Sequence, residues 1–180
     1  AGGDTSSKIT AIANLPVIDD VLAFRVAATY NDRGGWIDKI NSPGGEDNYN
    51  SSELSHIRLR GLWQVSDDFT ADISLIQHHN DAGGNYQTNI GDVQDSNFLV
   101  IERDGLPLAE TGGSNDYDLY NLTLNYDLGW AELVSSSSQV ETEVINKSSS
   151  IIDLSALGLP GFDLFTASNF SESSRFSQEL

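Results

Sequence analysis

Residues 63–77, WQVSDDFTADISLIQ, permit very few folded forms. Two alternating runs meet at Ser66-Asp67-Asp68. Leu59, Trp63, Phe69, Ile73 and Leu75 fall on one parity, and Arg58, Arg60, Gln64, Thr70, Asp72 and Ser74 on the other. Successive side chains of a strand point to opposite faces, so period two means a strand with one apolar and one polar side. A short acidic turn between two such runs makes a hairpin.

The device recurs on both sides. Ile9, Ala11, Ala13 and Leu15 alternate with Lys8, Thr10, Ile12 and Asn14, and the chain turns at Ile18-Asp19-Asp20. It returns through Leu22, Phe24, Val26, Ala28 and Tyr30 against Ala23, Arg25, Ala27, Thr29 and Asn31. A third pair joins Tyr120, Leu122, Leu124 and Tyr126 to a strand from Trp130 to Glu141, whose serines blur the parity, across Asp127-Leu128-Gly129. The expected hairpins therefore span about 8–32, 56–79 and 117–141, and 175–180 opens a further strand. Long polar segments separate them: Arg33–Ser55, Asn80–Asn115 and Thr142–Ser174. The last holds Ile151 to Leu159, where a helical turn is expected. Glycine pairs at Gly34-Gly35, Gly83-Gly84 and Gly112-Gly113 punctuate these loops, and no helix follows them to cradle a phosphate. The expected fold is all-β and up-and-down, with six to seven strands and no domain boundary.

A soluble β-sandwich usually has short connections at both ends. Here only one end is short, which raises the question of what meets the apolar faces. They carry no Asp, Glu, Lys or Arg, whereas the opposite faces hold Lys8, Arg25, Arg58, Arg60 and Asp72. A charge at the midplane of a lipid-facing barrel wall costs roughly 2–4 kcal/mol, so lipid requires this segregation. A second sheet merely favours it. Trp63, Phe69 and Tyr126 flank the short turns, and Tyr30 and Tyr120 are expected at the far strand ends, like the aromatic girdles of a transmembrane barrel. Tyr120 to Tyr126 is six steps of about 3.3 Å, roughly 20 Å, which with tilt approaches an apolar band of about 25 Å. No run nears about 18 consecutive apolar residues, which excludes a membrane helix and leaves a barrel untouched. The formal charge of −18 disfavours nucleic acid as a partner, and the lack of cysteine removes disulfides, thiolate ligands and a thiol nucleophile.

VIDDVLAFRVAATYNDRGGWIDK resembles a segment of the barrels of TonB-dependent outer-membrane receptors: an acidic turn, a strand with one Arg among small and apolar residues, then a Gly-aromatic-Ile-Asp step into an outer loop. SDDFTADISLIQ, DLYNLTLNYDLGWAELVSSSS and RFSQEL resemble the following turn, hairpin and strand opening. The resemblance implies a closed barrel of about 22 strands around a plug domain. It implies residence in the bacterial outer membrane and import of a scarce solute such as a siderophore, vitamin or oligosaccharide. Energy would come from an inner-membrane TonB-type protein that contacts an N-terminal segment. Plug, TonB box and C-terminal strands are absent from this stretch, so a fragment of a longer protein is expected. Neither an enzymatic role nor a cofactor is expected. The alternative is a secreted acidic β-sandwich that binds carbohydrate or calcium.

The candidate ligand contacts are Arg25, Arg58 and Arg60 on the polar faces, His78 at an outer strand end and Tyr86 in the second long segment. The arginines can meet an anionic ligand or plug carboxylates, or can pair with neighbouring carboxylates and keep the face solvated. His78-His79 alone is too few ligands for a metal, and Asp92, Asp95, Glu102 and Asp104 lack the spacing of a calcium loop. No metal site is expected. Asp72, Ser74 and His78 share a face, but residues four apart on a strand are about 13 Å apart, too far for a catalytic triad.

Overall fold

The computed structural model describes residues 3–36, 47–84, 111–153, 158 and 162–180. Seven strands lie side by side in chain order in one open antiparallel sheet. They are β1 (Ser7–Ile18), β2 (Leu22–Arg33), β3 (Ser52–Ser66), β4 (Phe69–Ala82), β5 (Gly112–Asp127), β6 (Glu132–Asp153) and β7 (Phe162–Glu179). Each strand pairs only with its sequence neighbours. The outer edges of β1 and β7 are unpaired among the described residues.

All three short links lie at one end, and each has a local cause. Asp20 adopts φ 57° and Val21 N donates to Ile18 O at 3.1 Å, so residues 19–21 reverse the chain. Residues 67–68 suffice between β3 and β4, where Gln64 Nε2 donates to Ser66 O at 2.7 Å across a register irregularity. Between β5 and β6 the Asp127 carboxylate accepts from Gly129 N at 2.7 Å, Gly129 takes φ 79°, and Leu128 N donates to Ala131 O at 2.8 Å. An Asx turn followed by glycine is what a tight reversal requires.

The far halves of β6 and β7 correct the expected loop at Thr142–Ser174. Strand β6 continues through Thr142 to Asp153, and β7 starts at Phe162, so only residues 154–161 connect them. Ile151–Asp153 are extended and pair with Phe162–Leu164 instead of opening a helical turn; residues 154–157 and 159 lie outside the described residues. A turn or two of isolated helix cannot compete with a ladder that gives every peptide a partner. Serine, threonine and glutamate here obscured the alternation without preventing pairing.

Directly opposed residues in an antiparallel pair share a face, so the registers can be followed across the sheet. One row runs Leu15, Phe24, Gly61, Ile73, Leu122, Ser137, Gln178. The next runs Ala13, Val26, Leu59, Leu75, Tyr120, Gln139, Phe176. Every residue of both rows is uncharged, and no second layer covers this face among the described residues: Ile73 and Leu122 are 42% and 41% exposed. The opposite face is less uniformly polar than expected, because Leu62, Ile76, Leu119 and Val140 lie on it.

Tyr120 is not at a strand end. It lies within β5, with Gly112–Leu119 beyond it, and marks instead where the uncharged band stops: Asp118 opposite Glu141 begins an acidic zone on the same face.

Candidate functional site

The arginine-bearing face carries one of the two clusters of charged and polar side chains among the described residues. Arg25 on β2 lies directly opposite Arg60 on β3, and Arg58 sits one row away opposite Ala27. Like charges directly opposed on neighbouring strands repel. Arg60 is compensated: its Nε donates to Asp72 Oδ2 at 2.8 Å and its Nη2 stands 2.6 Å from the same oxygen. Among the described residues Arg25 and Arg58 make no ion pair, so the patch keeps an excess of positive charge in a chain that is strongly acidic as a whole.

Beside the arginines, Asn121 on β5 holds β6 through side chains. Its Nδ2 donates to Ser138 Oγ at 2.9 Å, Ser136 Oγ at 3.2 Å and Ser137 O at 3.3 Å, and Thr123 joins the same cluster. The serines that blurred the sequence pattern are partners in this ladder.

One row above the Arg58 row lie Thr10, Thr29, His56, His78, Tyr117 and Thr142. Thr10 and Thr29 hydroxyls are 3.2 Å apart. His56 Nδ1 and His78 Nδ1 are 3.4 Å apart, with the rings edge to face at 5.5 Å. Tyr117 stacks on the other side of His78 at 4.8 Å with an interplanar angle of 24°. His79, adjacent in sequence, points to the opposite face, where its Nδ1 lies 2.6 Å from Asp116 Oδ1.

That opposite face is acidic beyond the uncharged band. Asp116, Glu143 and Glu172 share one row, and Asp118 and Glu141 the row beside it. At the long-loop end, Asn50 is 1% exposed and its Oδ1 accepts from Trp36 N at 2.7 Å. Tyr49 Oη accepts from Thr111 N at 2.5 Å, tying residues 47–50 to the start of β5. Its ring lies where any side chain at position 84 would have to go, which explains Gly84.

The sheet thus assembles Arg25, Arg58, Arg60 and His78 on one face. Tyr86 and the acidic group Asp92, Asp95, Glu102 and Asp104 lie outside the described residues. His56 and Tyr117 were not singled out in sequence, although a signal existed for His56. The hairpin folds about Asp67, and His56 and His78 are each 11 residues from it. Among the described residues no three His, Asp or Glu side chains converge on one point. Comparison of the chain with family models, with curated proteins and with solved structures gives no match.

Proposed function

We propose that this sheet is an arc of the transmembrane β-barrel of a TonB-dependent outer-membrane receptor, which imports a scarce solute with energy delivered from the inner membrane. The uncharged face meets lipid. The face bearing Arg25, Arg58, Arg60 and His78 lines the water-filled interior and contacts the solute or the domain that plugs the barrel.

The observation that carries this reading is the slant of the uncharged band. The outer aromatic limit is Tyr30 on β2 and Tyr120 on β5. Tyr30 belongs to the row of Ser55, His79 and Asp116, and Tyr120 lies four residues from Asp116. Four residues of about 3.3 Å over three strand spacings of about 4.8 Å is a slope of roughly 40°. The acidic limit is level along the row of Asp32, Glu53 and Asp81 on β2–β4 and lies four residues lower, at Asp118 and Glu141, on β5 and β6. Strands of membrane barrels tilt by about 35–45°, so a band level with a bilayer must cross the strand rows at that angle. A sheet buried beneath a second sheet has no reason to slant its apolar limit so.

Strand length agrees. The 22 residues of β6 extend roughly 70 Å, well past an apolar band of about 25 Å, which leaves the long-loop end standing in water. The acidic zone of the outer face then lies above the lipid.

The test is folding of the full-length protein into lipid vesicles. Val26→Arg and Leu124→Arg lie mid-band on β2 and β5 and should destabilise the folded barrel by about 2–4 kcal/mol each. Arg58→Gln, on the other face, should leave folding nearly unchanged. Equal effects of the three substitutions overturn the lipid assignment. Given correct folding, uptake dependent on the energy-transducing partner separates a receptor from a passive pore.

A further inference from the structure

We propose that His56 and His78 form a two-nitrogen binding site for a divalent transition metal on the polar face of the β3–β4 hairpin, with the remaining coordination positions open to water or to a chelator carried by the metal. The site depends on the register of this hairpin and not on what covers the opposite face, so it stands or falls separately from the membrane reading.

The spacing of the nitrogens is the first argument. The two Nδ1 atoms face each other at 3.4 Å, in a long ring-to-ring hydrogen bond that aims both nitrogens into one gap. Two imidazole nitrogens at about 2.0–2.1 Å from one tetrahedral metal lie about 3.4 Å from each other, so the pair is already at the bite of a metal. Little rearrangement is needed to bind.

The second argument is rigidity. His56 and His78 are opposed residues in the middle of a continuous ladder, with pairs on both sides from Ser52–Ala82 to Gln64–Thr70. Both rings are half-buried, and Tyr117 stacks on His78 and limits its rotation. Ordering two free imidazoles would otherwise weaken binding.

The surroundings specify the kind of occupant. Along the row the neighbours are Thr29 and Tyr117, and the rows above and below contribute Leu54, Asn80, Arg58 and Ile76 on β3 and β4. No carboxylate from these rows reaches the site among the described residues. Hard cations that demand oxygen are therefore poorly served, whereas copper, nickel and zinc accept two neutral imidazoles. Two nitrogens leave the metal's positive charge uncompensated. With Arg58 in the next row, the open positions suit an anionic chelator, such as a carboxylate-bearing one.

The test uses the full-length protein in detergent, stripped of metal, and Cu²⁺ or Ni²⁺ alone as the probe. Calorimetric titration should show one site at which H56A and H78A each weaken binding at least roughly tenfold, at the lower limit of what loss of even an outer partner costs. H79A should bind like the parent, since His79 faces the other side with Asp116. The Cu²⁺ electron paramagnetic resonance signal should carry coupling from two nitrogens in the parent and from one in H56N or H78N, a change that a merely structural role for either histidine would not produce. Equal binding by the parent, H56A and H78A overturns the proposal. So does a loss in H79A as large as in H78A, which would mean binding by surface histidines at large.

Discussion

Gly61 is the residue at which the apolar face is most tightly determined. A Cβ there would stand 2.9 Å from Phe24 Cε1 and 3.0 Å from Ile73 Cγ2, because the Phe24 ring on β2 lies over the bare backbone of β3. Aromatic cover of a strand glycine lets the backbone bend and keeps the gap filled. Gly61→Leu should displace Phe24 and lower stability by about 1–3 kcal/mol, read as a shift of the urea midpoint of the full-length protein in detergent. Gly61→Ala should cost less. Parities of single residues were legible in the sequence: Arg25, Arg58 and Arg60 do share a face, since alternation is a property of the extended chain alone. The partnership of His56 with His78 was not read from the residues near either one. It exists only when the hairpin register is applied.

Among the elements, β6 and β7 departed furthest from the sequence pattern. Their far halves lack the regular apolar alternation that reveals a half-buried strand, yet Ser136–Asp153 pair without interruption with Phe162–Glu179. Backbone hydrogen bonding needs no particular side chain, so a strand can outrun its pattern. The β5–β6 ladder also brings like charges together, with Asp118 directly opposite Glu141. Glu141→Lys turns that repulsion into attraction and should stabilise the protein by roughly 0.2–1 kcal/mol in low salt. The gain should shrink as salt approaches 1 M, where screening acts within about 3 Å. Denaturant midpoints at two salt concentrations check both statements; a gain that persists at high salt would point to packing rather than charge.

For the molecule as a whole, the open sheet presents unpaired strand edges at β1 and β7 and an uncovered apolar face among the described residues. Exposed edges and contiguous apolar surface both drive association. The 180-residue chain produced alone should therefore sediment as large assemblies in buffer and disperse in detergent micelles. A compact, detergent-independent monomer would mean that the apolar face is covered from within. The sequence by itself determined the strands of the first two hairpins and β5, the short turns and the facing of side chains on those strands, because these follow from local alternation and from the turn chemistry of Asp, Asn and Gly. Tertiary structure decided the lengths of β6 and β7, the slant of the uncharged band across Tyr30 and Tyr120, and the meeting of His56, His78 and Tyr117. Each of these depends on how far one strand slides against the next, and that slide is set by pairing across the whole ladder rather than by any residue within it.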